Sequence, residues 1–221
     1  MSDERPKVRT TMFDAPWQES GGGASKRGAD RHYRLLGKNQ IVKVILADPL
    51  WDPADNAHLY MWATNNHLGD ALWVMDALGF RYVTNVAWVK VKRGFTVKDL
   101  MEMAQMVMAG KIIAALKRVF SQGLGQYFRG EHELLLFGVR GKGDHEDVKT
   151  AARDIPSVIF AEKGAHSEKP EEAYDLIERR SHGPYVEMFA RTSRKGWSSS
   201  GEQLDMPLPS RQGDLFNPPK T

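Results

Sequence analysis

Two short segments of this 221-residue chain set an aspartate, a proline and a tryptophan in the same order: Asp14-Ala15-Pro16-Trp17 and Asp48-Pro49-Leu50-Trp51. Each follows a run rich in apolar residues, KVRTTMF in the first case and VKVILA in the second. An acidic side chain beside a backbone carbonyl, both at the carboxyl end of a strand, forms a set of acceptors suited to the N–H groups of an amine. Taken alone, either segment also reads as an ordinary strand-ending turn with its aspartate as a cap.

Spacing separates the two. VKVILA looks at first like the better strand, but only six residues lie between Trp51 and His58, where the apolar strand HLYMWAT begins. A crossover between neighbouring parallel strands needs about a dozen residues or more. Between Trp17 and His58 there is room for a loop and a short helix. The loop after Trp17 also carries three successive glycines, the cations Lys26, Arg27 and Arg31, and the pair His32-Tyr33. Those are the residue types that an active site over a polyanion needs. Asp14 is therefore the reactive candidate, and Asp48–Trp51 a turn leading into a core strand.

The surrounding elements must hold Asp14 in place. Strand patterns are read at KVRTTMF, HLYMWAT, RYVTNVAWVKV, HELLLFGV, SVIFAE and PYVEMFAR, the last of them taken as the final strand. Between them, NNHLGDALWVMDALGF has helical spacing at Leu68, Ala71, Leu72, Met75 and Leu78, with Gly79 where a C-terminal cap belongs. KPEEAYDLIERR starts with proline and runs from acids to bases, as the helix dipole favours. Trp62, Trp73 and Trp88 fall inside these patterns and are assigned to packing. Strands alternating with helices predict an α/β fold, a doubly wound and mostly parallel sheet with functional loops at the strands' carboxyl ends. The domain spans 1–204, with a Met-rich helical insertion at 96–120, bent at Gly110, and a flexible polar tail at 205–221.

Hydrophobic residues make up 41% of the chain, enough for a buried core, and no apolar run approaches the ~18 residues that span a bilayer. There are no cysteines, which removes disulfides, thiolate metal sites and cysteine nucleophiles and fits a reducing cytoplasm. The seven histidines are scattered, and no metal is expected. A net charge of +3 permits a polyanionic partner without requiring one. Within 90–118, seven basic residues face two acids, Asp99 and Glu102. This segment is either an arm against a phosphate backbone or an amphipathic helix packed on the domain or on a second copy of the chain.

In order, DAPW, a Gly/Ser/Arg-rich loop ending in RHY, LYMWATNNHLGDAL, GFRYVTNVAWVK, GLGQYFRGEHELLLFGVRGK, HSEKPEEAYDLIERR and YVEMFAR…GW…GEQL resemble the adenine-N6 methyltransferases. That family includes the catalytic subunit of the messenger-RNA adenine-methylation complex and its bacterial and phage DNA-modifying relatives. The resemblance runs from about residue 8 to residue 204, leaving out 96–120. It implies a Rossmann-like methyltransferase sheet, S-adenosylmethionine as donor, and the exocyclic amine of adenine in nucleic acid as acceptor. An adenine amine is a poor nucleophile because its lone pair is delocalised, so the site must align it with the donor methyl and accept its hydrogen bonds. The resemblance gives Asp14 and the Ala15 carbonyl that task, with Pro16 fixing the backbone and Trp17 packing against the base. Ala15 stands where the family motif has proline, and Pro16 still biases it toward an extended conformation. Lys26, Arg27, Arg31, His32 and Tyr33 fall to substrate binding.

On the donor side the resemblance assigns Lys169 to the carboxylate and Arg191 to the ribose. Glu202-Gln203 stand in place of an Asn-Gln pair, and Ser193 and Arg194 lie where further ribose contacts occur. Only thirteen residues precede Asp14, so the family's adenine-binding segment has no counterpart before it, and the donor is expected to bind more weakly or be completed from elsewhere. A non-catalytic relative that binds nucleic acid or a partner is the alternative reading. In the tail, Gln212-Gly213-Asp214-Leu215-Phe216 resembles the peptide by which bacterial replication proteins dock on the sliding clamp, with Leu215 and Phe216 as apolar anchors and Gln212 fixing the register. The alternatives are that the pair folds back onto its own domain or that five residues match by chance. The clamp reading favours DNA over RNA and the cytoplasm of a bacterial or phage-infected cell.

Overall fold

The computed structural model describes residues 6–18, 35–123, 127–162, 164, 168–202 and 204. Among the described residues, seven strands, β1 (Val8–Phe13), β2 (Pro53–Ala63), β3 (Arg81–Val91), β4 (His132–Arg140), β5 (Val158–Glu162), β6 (Tyr185–Met188) and β7 (Trp197–Ser200), form one sheet. Its order is β5-β3-β4-β2-β1-β6-β7. β4 runs antiparallel to β2 and β3, and the other pairs are parallel.

The central strands are buried on both faces, so neighbouring residues serve different cores. Phe13, Leu59, Met61 and Leu136 face a cluster with α1 (Lys38–Ala47) and α2 (Leu68–Ala77). Met12, Tyr60, Trp62 and Leu135 face a second cluster with α5 (Glu171–Arg180). Period-two alternation of side chains thus builds the three-layer, doubly wound arrangement expected from the sequence.

Helix α2 ends as expected. Gly79 takes φ +79°, with Phe80 N–H donating to the Met75 carbonyl and Gly79 N–H to that of Asp76, each at 2.9 Å. That paired geometry is the left-handed glycine cap of the Schellman type. The insertion forms α3 (Val97–Met108) and α4 (Ile112–Lys117), separated at Gly110 with φ +75°. No residue of α3 is buried.

VKVILA, strand-like at first sight, is the body of α1, the short crossover helix for which the chain between Trp17 and His58 has room, with Ile41 and Ile45 buried four residues apart. Two expectations are corrected. PYVEMFAR is not the last strand, because Trp197–Ser200 pairs beyond β6 as β7. Trp62 and Trp88 are core residues, but Trp73 is 41% exposed, with Lys38 Nζ 5.3 Å from its ring centre. No helix among the described residues is long and apolar enough to cross a membrane.

Candidate active site

Strand β1 is central, with β2 on one side and β6 on the other, and Asp14 directly follows it. The chain leaves β1 toward α1 on one face of the sheet and reaches β6 from α5 on the other. A doubly wound sheet opens a crevice at such a switch of connections, outside the strands' carboxyl ends. The observed cleft, about 200 Å³, lies there. Asp14 and Pro16 come from the end of β1, Met188–Arg191 from the end of β6, and Ser200, Gly201 and Glu202 from the end of β7, while Leu36, Val44, Ile45 and Asp48 close the α1 side.

Asp14 heads a chain of alternating charge. Lys169 Nζ lies 3.0 Å from Asp14 Oδ1 and 3.1 Å from Glu133 Oε2, and Lys90 Nζ lies 2.6 Å from Glu133 Oε1. The two ammonium groups sit 5.3 and 5.2 Å from the ring centres of Trp62 and Trp88. Burial alone would lower the Lys169 pKa; the carboxylates of Asp14 and Glu133 outweigh it and push the ammonium up to about 12. Burial would raise Glu133, but Lys169 and Lys90 hold its carboxyl down to about 2. Both groups stay charged through the physiological range.

Glu187, on β6, is the exception. Burial, with a smaller push from the Asp14 carboxylate, raises its carboxyl to about 7, although the hydrogen bond from Tyr174 opposes this. Tyr174 Oη donates to Oε1 at 3.0 Å, and Oε2 is buried without a partner among the described residues. The cluster thus holds a second carboxyl, one that titrates near neutrality within electrostatic reach of Asp14.

Two backbone features shape the cleft. Phe189 has φ +62°, unusual for a bulky residue, and its ring packs edge-on to Phe13 at 6.4 Å. At Gly201, a side chain would collide with the Ala190 backbone, so this close approach requires glycine.

The structure brings Asp14, Pro16, Arg191 and Glu202 to one cleft and sets Lys169 against Asp14. Ala15 is buried, and its carbonyl accepts from Trp17 N–H at 2.9 Å. Trp17 is buried too: its indole N–H donates to the Trp62 carbonyl at 3.1 Å and its ring stacks on His67. Arg194 turns away from the cleft, paired with Glu171 and lying 3.8 Å over the Tyr174 ring, and Ser193 does not line the cleft. Lys26, Arg27, Arg31, His32, Tyr33, Gln203, Gln212, Leu215 and Phe216 lie outside the described residues.

Sequence reasoning missed Glu133, Glu187, Lys90 and Gly201. For the two glutamates the signal was present: each interrupts an apolar strand, HELLLFGV or YVEMFA, at a position the sheet buries or half-buries. Asp48 was rightly read as part of a turn, but it also lines the cleft, accepting from Leu50 N–H at 2.8 Å and Ser200 Oγ at 2.6 Å.

The MT-A70 family model matches residues 10–203. The human N(6)-adenosine-methyltransferase catalytic subunit METTL3 is 26% identical over 199 residues, covering 77% of this chain and 29% of its own length. A Drosophila melanogaster N(6)-adenosine-methyltransferase MT-A70-like protein is 26% identical over 198 residues, 77% of this chain and 28% of that protein. A Medicago truncatula protein named as MT-A70-like is 27% identical over 203 residues, 79% of this chain and 28% of that protein. The chain therefore spans under a third of the length of these curated relatives.

Proposed function

This chain belongs to the MT-A70 family, and from that premise we propose that it methylates the N6 amine of adenine in a nucleic acid, with S-adenosylmethionine as donor. The observation that carries the reading is the Asp14–Lys169–Glu133–Lys90 chain, which reaches the wall of the cleft at Asp14. The donor, when bound, supplies an activated sulfonium methyl. Asp14 accepts a hydrogen bond from the amine and favours the positive charge that grows on nitrogen as it is alkylated. Lys169 holds the Asp14 carboxylate in position and has a third N–H beyond its two ion pairs to offer the donor carboxylate. Ala15 presents its carbonyl, which has a second lone pair beside the bond from Trp17, and Trp17 stiffens the wall beside the base.

The cleft suits the donor. Its apolar wall of Leu36, Val44, Ile45 and Met188 accepts a flat ring, while Glu202 and Arg191 supply an acceptor and a cation for the ribose end. Gly201 lets the backbone approach closely. Gln203 is assigned to the same pocket. Ser193 and Arg194 are weaker candidates, since Arg194 is held by Glu171 and Tyr174. Lys26, Arg27, Arg31, His32 and Tyr33 are assigned to the nucleic-acid strand.

DNA is the favoured substrate on the clamp-like peptide of the tail, Gln212, Leu215 and Phe216, which also suits a bacterial or phage-infected cytoplasm. RNA is the second reading, favoured by relatives named for adenosine methylation. A second copy of the chain is the proposed cover for the exposed apolar residues of the insertion, among them Val97, Met108 and Ile113. Transfer of labelled methyl to DNA and RNA, each single- and double-stranded, tests the reading. N6-methylated adenine in one of them supports it, and label on no adenine in any of them refutes it.

A further inference from the structure

A second and larger cavity, about 600 Å³, lies at the opposite end of the sheet. Its walls come from the start of β3, the end of β4, the start of β5 and the end of α5, so it is also on the opposite face from α1 and the Asp14 cleft. Cavities of this size match those that hold small organic ligands.

Its floor is buried and internally satisfied. His58 Nε2 lies 2.7 Å from the Gly143 carbonyl, which can only accept, so this nitrogen carries the proton. Nδ1 then accepts from Ser181 Oγ at 2.7 Å, and Ser181 in turn accepts from Tyr60 Oη at 2.7 Å. Burial, helped by the nearby charge of Arg180 and Lys149, lowers the His58 pKa to about 4, so the floor is uncharged at neutral pH. Phe137 packs against both rings, edge-on to His58 at 4.8 Å and tilted to Tyr60 at 5.1 Å.

The rim is different in kind. Arg81, Lys149 and Arg180 line it against one acid, Asp144, and none of the three cations has an ion-pair partner among the described residues. Thr84, Asn85 and Ser157 add neutral hydrogen-bonding groups. A flat, largely apolar body would fill the interior, hydroxyls would meet the neutral rim, and a doubly charged anion would meet the cations. Two arginines are well suited to a phosphate because their planar forks match its oxygens.

We infer that this cavity binds a nucleoside monophosphate, as a free nucleotide or as the 5′-phosphorylated end of a nucleic-acid strand, independently of the Asp14 cleft. Calorimetric titration of the full chain with adenosine 5′-monophosphate, with and without saturating S-adenosylhomocysteine, tests it. The expected result is one nucleotide per chain with equal affinity in both conditions. Adenosine and inorganic phosphate should each bind at least about tenfold more weakly, by the loss of one recognised part. The exposed-rim double variant Arg81→Glu/Lys149→Glu should lose at least about tenfold in nucleotide affinity at unchanged melting temperature. Displacement of the nucleotide by a 5′-phosphorylated oligonucleotide would assign the strand end as the source, and no displacement would assign the free nucleotide. No binding at millimolar nucleotide, competition by S-adenosylhomocysteine, or full affinity in the double variant would overturn the inference. Failure of S-adenosylhomocysteine itself to bind would count against the methyltransferase reading and leave this one standing.

Discussion

Without the Lys169 ammonium, the Asp14 and Glu133 carboxylates would face each other across a largely buried space, with only Lys90 to compensate. Breaking such a pair by removing one partner is costly, about 3–5 kcal/mol, because the remaining charge is stranded. Lys169→Met should therefore lower unfolding free energy by that order in urea titration and also abolish methyl transfer. A variant that keeps wild-type stability would show that the ion pairs are not formed in solution. Glu187 makes the opposite kind of prediction. Its folded pKa, about 7, lies above the unfolded value of 4.5, so its contribution is present below pH 4.5 and lost as pH rises through 7. Glu187→Gln mimics the protonated form; it should leave stability unchanged at pH 4 and raise it by about 1–3 kcal/mol at pH 8. An equal effect at both pH values would contradict the raised pKa.

Among the elements, those with clear periodicity and a defined stop were legible in the sequence. Strand β3 was read at its observed bounds, and α2 was located through Gly79. Replacing that glycine with alanine should cost about 1 kcal/mol, because only glycine takes a positive φ without penalty, and thermal unfolding would register it. Helix α1 looks locally like a strand because VKVILA is dense in β-branched residues, and only the room between Trp17 and His58 pointed to a helix there. What decides its form is tertiary: a parallel β1–β2 pair needs a crossover, and this segment is the chain available for it. Strand β7 was invisible because WSSS has almost no hydrophobic pattern. It is held by Trp197, which stacks on Tyr185 at 4.9 Å and donates to Glu178 at 2.7 Å. Gly201 follows this strand, and Gly201→Ala should reduce S-adenosylmethionine affinity at least about tenfold in calorimetry by displacing Ala190 from the cleft wall. Unchanged affinity would separate Gly201 from the donor site.

At the scale of the whole molecule, the motif order named the family and the fold, and the described motifs fall on the strands and helices of one seven-stranded sheet and its flanks. The ion-pair chain was not legible, because Lys90, Glu133 and Lys169 lie on separate elements that only the sheet order brings together. In the proposed reaction Asp14 carries methyl transfer to adenine. Single-turnover transfer of labelled methyl to oligonucleotides, followed by nucleoside analysis, tests it in wild type, Asp14→Ala and Asp48→Ala. The expected results are N6-methyladenine from wild type, a loss of about a hundred- to a thousandfold in Asp14→Ala, by analogy with removal of a transition-state hydrogen-bond donor, and a smaller loss in Asp48→Ala. An active Asp14→Ala, or an inactive Asp48→Ala beside it, would place the reaction elsewhere.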